Sequence, residues 1–477
     1  MSDHDMRSRA VRRRRLLAAA GAGIAGLAGC SSGGESDNDG GGLATTTAPG
    51  GSETTSGEGT GDPETESADW RMYRGGPGQA AYSPGAGPGG DADIEWTWST
   101  PNTDEYVDQS GTRQVAVADG TAYVATHLPY GGETSRTYLY GLDAATGERL
   151  WVYERDWGEA QVGSNRSMPV IVDGRAVFLV SGYVNDRWEY VGVDDGEAAW
   201  TAAPVPADED KRLAGRNAPL ALPDGTVLAS VGNNRYRRLA PSVGEFSGDA
   251  IPVTGWTPTV ADDSQFVHWS ETFQRRPLGG DEPDWRFDWH ERGIVTNQLT
   301  PPVHADGTVY FGVGMDYFDV PDGPEVPDSR RPRLFAVDAG TGTDRWTRVL
   351  ETERGERGSR GEGGDDYWLI HGRAAALAVG PDAVYAYTTT GDVAAFSPAD
   401  GSERWRTSVS DRNLASIPGN FVACPDGVYV ALPDGLVHVS SDGEASSLAT
   451  GDHETATLSL AGGRLFVARN ERIEVYG

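Results

Sequence analysis

Polar side chains that could bind an anion lie just ahead of several predicted strands. In chain order they are Arg113, Arg166, Arg216, Asn297, His371 and Arg373. Guanidinium groups bind carboxylates through paired N–H donors, so such residues would form an anion site if the fold gathered them. We therefore predict a site for a carboxylate-bearing ligand or an acidic peptide. The alternative is that these side chains satisfy loop backbone and pair with the abundant acids.

No pattern of catalytic or metal-binding residues accompanies them. The histidines at 268, 290, 304 and 438 are scattered and lack metal-ligand spacing. The sequence holds no nucleophile motif, phosphate-binding loop or zinc signature. Cys424 stands in an apolar run and is expected to be a buried packing residue. We predict no catalytic residue, no metal site and no required cofactor.

The elements that must position these residues come from a repeated unit. Residues 139–151 read as an apolar strand, a tight Asp-Ala-Ala-Thr-Gly turn and a return strand that reaches a tryptophan. Related copies occupy residues 190–200, 334–346 and 393–405, and the turn glycine always lies four residues before the tryptophan. A hairpin that recurs with a fixed aromatic residue indicates a repeat architecture.

A second hairpin precedes each of these. Apolar runs joined by an Asp-Gly-type turn recur along the chain, for example around Asp119-Gly120, Asp173-Gly174 and Asp306-Gly307. This turn chemistry suits type I′ hairpins, whose central residues need positive φ. Together the two hairpins make four antiparallel strands per unit, and eight units can be counted.

The last unit supplies only three strands, whereas residues 94–98 form a strand with no hairpin partner. Lending that strand to the last unit closes a ring and removes an exposed sheet edge. We therefore predict an all-β fold: an eight-bladed β-propeller of four-stranded antiparallel blades, closed by its N-terminal strand. The connections ahead of the first strands, with their arginines, would then surround one mouth of the channel.

The units are uneven. Those beginning near Leu220 and Phe421 lack the tryptophan, and the glycine spacing predicts Gly248 and Ser447 at its position. The unit beginning at Thr259 is expected to use Trp285. The Gly-, Pro- and charge-rich insertions at residues 315–332 and 352–368 are predicted to be surface loops.

Composition restricts the partners. The 477 residues include 71 Asp and Glu against 40 Lys and Arg, for a net charge of −31. Binding to nucleic acid needs cations that neutralise phosphates, so we predict no nucleic-acid partner. The dispersed acids, with Lys211 as the only lysine, resemble proteins of salt-loving archaea, whose surfaces stay hydrated when salt screens their repulsion.

The N-terminal region reads as an export signal followed by a tether. Residues 13–17, Arg-Arg-Arg-Leu-Leu, resemble a twin-arginine signal, and Leu-Ala-Gly-Cys at 27–30 resembles a lipobox with Cys30 as the lipidated residue. We predict a signal peptide at residues 1–29, a disordered acidic Gly/Ser/Thr tether at 30–68 and the propeller at 69–477. The mature protein would be anchored to the outer face of the cytoplasmic membrane.

The repeat itself resembles a known family. Asp-Ala-x-Thr-Gly-x-x-x-Trp is similar to the pyrroloquinoline-quinone-like (PQQ-like) propeller repeat, strongest at residues 139–151 and 334–346, and residues 69–75 resemble the family's lead-in. The resemblance implies that each tryptophan docks between neighbouring blades. Some members are quinone-dependent dehydrogenases, often with Ca²⁺ and in some cases an adjacent cysteine pair. Others, such as the eight-bladed lipoprotein of the outer-membrane β-barrel assembly machinery, bind proteins without a cofactor.

This sequence lacks an adjacent cysteine pair and shows no clear calcium-binding constellation. We therefore expect a non-catalytic, lipid-anchored binding or scaffold protein, monomeric, with a protein partner that the sequence does not name. The alternative is a PQQ-dependent quinoprotein dehydrogenase that holds PQQ and Ca²⁺ in the central channel.

Overall fold

Each repeated unit folds into one antiparallel sheet in the computed structural model. The structure describes residues 69–76, 78–100, 115–128, 136–156, 169–182, 187–203, 219–232, 235–252, 259–269, 272–280, 282–296, 298–315, 317–318, 326–359, 366–411, 420–453, 455–469 and 472–477. All of them belong to one compact unit, Pro63–Gly477. The described ranges include short 3₁₀ turns at Tyr73–Gly75 and Asp328–Arg330. No helix within the described ranges is long and apolar enough to cross a membrane.

The closing strand comes first in the chain, and four blades follow it. β1 is Ile94–Ser99. Blade 1 is β2 to β5: Val115–Ala118, Thr121–Leu128, Arg136–Asp143 and Arg149–Asp156. Blade 2 is β6 to β9: Val170–Val172, Arg175–Gly182, Arg187–Asp194 and Glu197–Ala202. Blade 3 is β10 to β13: Leu220–Ala221, Val227–Gly232, Arg235–Ala240 and Glu245–Pro252. Blade 4 is β14 to β17: Thr259–Ala261, Ser264–Trp269, Thr272–Pro277 and Trp285–Asp288.

Blades 5 to 8 complete the ring, with one small extra sheet. Blade 5 has a divided first strand, β18 (Gln298–Leu299) and β19 (Val303–Ala305), then β20 (Thr308–Gly314), β22 (Arg333–Asp338) and β23 (Asp344–Val349). Blade 6 is β26 to β29: Ala374–Val379, Val384–Thr388, Asp392–Phe396 and Glu403–Ser408. Blade 7 is β30 to β33: Phe421–Cys424, Gly427–Leu432, Gly435–Ser440 and Ala445–Thr450. Blade 8 is β34 to β36 (Thr457–Ala461, Arg464–Arg469 and Arg472–Tyr476) plus β1.

The predicted closure is confirmed. β1 pairs with β36 in an antiparallel register that sets Trp96 opposite Val475 and Trp98 opposite Ile473. The edge of blade 8 is thereby covered by a strand from the other end of the fold. The eight-bladed all-β architecture predicted from the repeats is also confirmed.

The apolar core lies between blades rather than inside any one of them. Six buried clusters each join side chains of two or three neighbouring blades. Together they span all eight interfaces between neighbouring blades, which we call joints. A single blade therefore has no core of its own, and each sheet depends on its neighbours for burial.

Tryptophans from the fourth strands lock six of the joints, as the family resemblance implies. Each tryptophan side chain covers the turn glycine of the next blade so closely that a Cβ on that glycine would lie 2.5–3.1 Å from it. The pairs are Trp96 with Gly147, Trp151 with Gly196, Trp200 with Gly244, Trp285 with Gly342, Trp346 with Gly401, and Trp405 with Gly443. In five of them the indole N–H also donates to a carbonyl of that turn, at 2.6–3.3 Å.

A β-bulge orients most of these indoles toward the neighbouring blade. In five of the six tryptophan blades the pairing register shifts by one residue just before the tryptophan. In blade 1, for example, Arg149 pairs with Leu142 and Trp151 with Gly141, which leaves Leu150 unpaired. A bulge bends the strand and redirects the next side chain, here toward the neighbouring blade.

Blades 3 and 7 lack both the tryptophan and this bulge. Trp151 and Trp200 pair with the third-strand residue two positions before that strand's end. The same position pairs Arg238 with Ser247 in blade 3 and His438 with Ser446 in blade 7. The register thus places serines where the tryptophan would stand. The prediction of Gly248 and Ser447 is wrong by one residue. The glycine-to-tryptophan spacing includes the extra residue of the bulge, and blades 3 and 7 lack a bulge before this position, so the equivalent residue comes one earlier.

At the joint between blades 7 and 8, the chain leading into β1 takes the place of the indole. Gly90 lies so close to blade 7 that a Cβ on it would be 2.2 Å from Ser446 Oγ and 3.1 Å from His438 Nδ1. The N–H of Gly89 donates to the Tyr429 hydroxyl at 3.1 Å. Blade 8 has no turn between its third and fourth strands, so an indole from blade 7 would have no turn to cover.

An ionic network around the buried carboxylate of Glu474 completes the same joint. The carboxylate of Glu474 in β36 lies 2.7 Å from Arg469 Nη2, 3.1 Å from Arg472 Nε and 3.8 Å from His453 Nε2. His453 belongs to the connection from blade 7, where its backbone N–H donates to Leu432 O. Burial alone would raise the pKa of Glu474, but the nearby His453 ring, the hydrogen bond from Arg469 and the charge of both arginines lower it to about 2.

The two insertions are not simple loops, so that prediction is wrong. β21 (Tyr317–Phe318) from one insertion pairs with β25 (Asp366–His371) from the other, and β25 pairs with β24 (Glu353–Ser359). This accessory sheet stands beside blades 5 and 6. The charged, glycine-rich sequence gave no alternating pattern from which the pairing could be inferred.

Loss of one docked indole should destabilise the whole ring. Trp346 is only 7% exposed, and its indole N–H donates to Pro398 O at 2.8 Å. Trp346→Ala should lower the free energy of unfolding by about 4 kcal/mol, from lost burial and a cavity at the joint. Val349→Ala on the same strand, where Val349 is 42% exposed, is the control and should change it by about 0.5 kcal/mol or less. Denaturant titration in molar salt measures both. Equal losses would contradict the role of the joint.

Glu474 should make stability depend on pH in the acid range. Its pKa falls from 4.5 to about 2 on folding, so its contribution is complete above pH 4.5 and disappears as the pH falls toward 2. At neutral pH, Glu474→Gln should lower the free energy of unfolding by about 3 kcal/mol. The difference between parent and variant should shrink steadily below pH 4.5. A pH-independent difference in denaturant titrations would rule out the ionic contribution.

Candidate functional site

The first strands of the blades surround the propeller axis and contact each other around the ring. Each first strand begins after the connection from the previous blade and ends at the turn into the second strand of the same blade. The channel therefore has two mouths, one at the starts of the first strands and one at their turns. The predicted ligand residues precede first strands, so they belong to the first mouth.

The lead-in segment, residues 69–83, closes the mouth at the turns. Its backbone pairs in succession with first strands of blades 1, 2, 5, 6 and 7 at N···O distances of 2.8–2.9 Å. Trp70 exchanges two hydrogen bonds with Val117, and the carbonyls of Arg71, Gly78, Ala80 and Ala81 accept from the other four blades. We refer to this end as the closed mouth.

The polar side chains of Arg74 and Gln79 in the lead-in segment are enclosed there. Arg74 is 2% exposed and donates from Nη2 to Leu377 O of blade 6. Gln79 is completely buried. Both have positive φ, 55° and 56°, which costs a non-glycine residue about 1 kcal/mol or more and persists only where the surroundings fix it. Five blades provide that constraint.

Arg373 lies at the opposite mouth. It directly precedes β26, and Val379 at the far end of β26 donates to Ala80 of the lead-in segment. Six residues of strand separate the two ends by about 20 Å. Arg373 is 9% exposed and packs so tightly on blade 5 that a Cβ on Gly314 would lie 2.7 Å from Arg373 Cβ.

The backbone around Arg373 is fixed from both sides. Its carbonyl accepts the N–H of Thr389 at 2.9 Å, and the N–H of Gly372 donates to Thr389 Oγ1 at 3.0 Å. Gly372 has φ of +107°, and a Cβ on it would lie 2.0 Å from Glu351 O, so only glycine fits there. This arrangement holds a cationic side chain on a rigid part of the rim.

His371 reaches the same rim from the accessory sheet. It ends β25 opposite Glu353 of β24, two residues before Arg373. The structure thus describes two of the six predicted residues, and these two are neighbours in the sequence. The other four, Arg113, Arg166, Arg216 and Asn297, lie outside the described residues, as do Cys30, the signal peptide and the tether. Their roles stay predictions.

Asn420 is a rim residue that the sequence analysis missed. It precedes β30 of blade 7 as Arg373 precedes β26 of blade 6, is 5% exposed, and donates from Nδ2 to Ala431 O at 3.0 Å. Its place directly ahead of a first strand is the signal that could have identified it.

The described residues do not fit a Ca²⁺–quinone site. They contain no group of three His, Cys, Asp or Glu side chains that could hold a metal ion. His268 is packed among Phe273, Trp289 and Phe311, and burial lowers its pKa to about 4. Cys424 is buried, and burial raises its pKa above that of a free thiol. Both are packing residues. Whether a cofactor is needed stays a prediction.

Comparison with solved structures agrees with the fold. BamB from Moraxella catarrhalis superposes with a TM-score of 0.50 at 16% identity, over 81% of this chain and 97% of that one. Quinohemoprotein alcohol dehydrogenase from Comamonas testosteroni gives 0.48 at 12% identity, over 86% and 80%. At 16% identity the likeness to BamB concerns the fold alone. A comparison with curated proteins gave no match.

A family model matches the chain twice. The model described as outer membrane protein assembly factor BamB covers residues 92–272 and 285–467. The first match spans blades 1 to 3 with part of blade 4, and the second runs from β17 into blade 8. Because the matches cover more than half of the chain, the protein belongs to this PQQ-like propeller family.

Proposed function

We propose that this protein is a lipid-anchored propeller that binds other molecules at the mouth opposite the lead-in segment and catalyses no reaction. The observation that carries the proposal is the asymmetry of the channel. The lead-in segment fills one mouth, whereas the other has Arg373, His371 and Asn420 on its rim. Within the described ranges, no metal-binding group accompanies them.

The ligand class follows from charge. The chain carries a net charge of −31, so an anion approaches only where cations are fixed locally. The Cβ of Arg373 packs on Gly314 and its carbonyl accepts from Thr389, so the point from which the side chain extends is fixed on the rim. Arg113, Arg166 and Arg216 precede the first strands of blades 1 to 3 and are proposed to complete the site. The ligand would be a carboxylate-bearing molecule or an acidic peptide.

The proposed location is the outer face of the cytoplasmic membrane. It rests on the basic run at residues 12–15 and on the Leu-Ala-Gly-Cys sequence that ends at Cys30. The family description, outer membrane protein assembly factor, supports a role in binding proteins near a membrane. Metabolic labelling with a lipid precursor should mark the parent and leave Cys30→Ser unmarked. Equal labelling of both would exclude the anchor.

Removal of rim arginines should weaken anion binding. The Arg166→Ala/Arg216→Ala double variant, and separately Arg373→Gln, should bind a fluorescent hexa-aspartate peptide at least about tenfold more weakly, because each loses a guanidinium–carboxylate pair. Arg286→Ala is the matched control, since Arg286 is exposed on the outer strand of blade 4. Fluorescence anisotropy at the lowest salt that keeps the protein folded gives the affinities. Unchanged binding by both rim variants would contradict the proposed site.

The quinone-dehydrogenase alternative has a direct test. With added PQQ and Ca²⁺, the purified protein should show no dye-linked oxidation of alcohols or sugars if it is a binding protein. Turnover that requires both additions would establish the alternative and overturn the non-catalytic proposal.

A further inference from the structure

Among the described residues, seven of the eight joints are held in their outer part by a segment that packs across them. Six receive an indole from the preceding blade, and at the joint between blades 7 and 8 the chain around Gly90 packs against blade 7. The remaining joint lies between blades 3 and 4, and we call it joint 3/4. Ser247 occupies the tryptophan position there and is exposed. Joint 3/4 lies directly across the ring from the joint between blades 7 and 8.

The outer strand of blade 3 makes no polar contact with blade 4. In the part of the chain that the structure describes, the hydrogen bonds and ion pairs of β13 all stay within blade 3. The joints on either side differ. Between blades 2 and 3, Arg175 donates from Nη1 to Pro241 O at 2.6 Å, and between blades 4 and 5, Arg292 forms an ion pair with Asp344.

The lead-in segment ties other blades together but not these two. Its backbone bonds join blades 1 and 2 to blades 5, 6 and 7 across the closed mouth. Within the described ranges, no backbone hydrogen bond connects it to β10 of blade 3 or to β14 of blade 4. β10 and β14 also approach each other over fewer residues than any other neighbouring pair of first strands. Joint 3/4 is therefore the least fastened joint at the channel as well as at the perimeter.

Blades 3 and 4 are each bonded to their other neighbour. The Tyr190 hydroxyl of blade 2 donates to Ser230 O of blade 3 at 3.0 Å. On the other side, Thr259 Oγ1 of blade 4 donates to Pro302 O of blade 5 at 2.5 Å. With the indoles of Trp200 and Trp285, these bonds fix blade 3 to blade 2 and blade 4 to blade 5.

An apolar cluster fills joint 3/4. Val260 and Val267 of blade 4 are 1% and 2% exposed and belong to the same buried cluster as Leu222 and Leu228 of blade 3. Met72 of the lead-in segment joins this cluster through its side chain. Apolar contacts are not directional, so two such surfaces can separate briefly without breaking a hydrogen bond.

We propose that the ring opens at joint 3/4. Blade 3 moves with blades 8, 1 and 2, and blade 4 moves with blades 5 to 7. The joint between blades 7 and 8 and the lead-in segment keep the two groups together. The opening is a local one that leaves every blade folded. It acts as a lateral gate, because it gives a molecule in solution access to the channel from the side without displacing the lead-in segment. The proposal rests on the ring alone and is independent of the ligand proposed for the mouth.

The test measures how fast a buried cysteine reacts with dithiodipyridine in the folded full-length protein in molar salt. Val267→Cys is the probe and Val124→Cys the matched control, both in a Cys30→Ser/Cys424→Ala background. Each valine is the fourth residue of a second strand and lies in a cluster shared with the preceding blade, but the joint of the control holds Trp96. Val267→Cys should react at least about tenfold faster, because a buried thiol reacts only when its surroundings open.

Denaturant distinguishes the local opening from global unfolding. The reaction rate of Val267→Cys should change little with denaturant below the unfolding transition, since a local opening exposes little surface. Val260→Cys and Val117→Cys, each one residue before the end of a first strand, repeat the comparison if a second-strand variant fails to fold. Equal rates within the pairs would overturn the proposal. A rate that rises with denaturant as steeply as global unfolding would overturn it as well.

Discussion

The insertion of an indole from one blade into the turn of the next is the interaction on which this structure depends. No blade has a core of its own, so each sheet is stable only against its neighbours. The indole needs three local features: a glycine in the receiving turn, a carbonyl for its N–H, and in most blades a bulge that aims it. Where the receiving turn is absent, as in blade 8, or rebuilt, as in blade 4, the donor tryptophan of the preceding blade is also absent.

Much of this could be predicted from the sequence because the repeat is local. The Asp-Gly turns and the Gly-to-Trp spacing each lie within a dozen residues, so strand number, blade number and closure by β1 followed from them. Positive φ at Asp119 and Gly120, and at Asp306 and Gly307, matches the turn type that the residues predicted. Trp285 was also assigned correctly, since it fills the joint with blade 5.

Three features could not be predicted, for different physical reasons. The bulge before five of the six tryptophans depends on cross-strand register, so the spacing alone misplaced Ser247 and Ser446 by one residue. The accessory sheet pairs segments about fifty residues apart that have no apolar alternation. The lead-in segment crosses the channel through backbone hydrogen bonds, which leave little trace in residue type. For the site, position ahead of a first strand found Arg373 and His371 and would also have found Asn420.

The closing strand has a consequence for how the protein is made. β1 is synthesised before all other strands, and its partner β36 is synthesised after them. Until β36 leaves the ribosome, β1 and the growing stack of blades both present unpaired edges, and the ring stays open. Such a long-range contact slows folding and extends the period in which a chaperone or a neighbouring chain can bind those edges. A twin-arginine route exports folded proteins, so it would allow β1 to pair with β36 and the ring to close before transport.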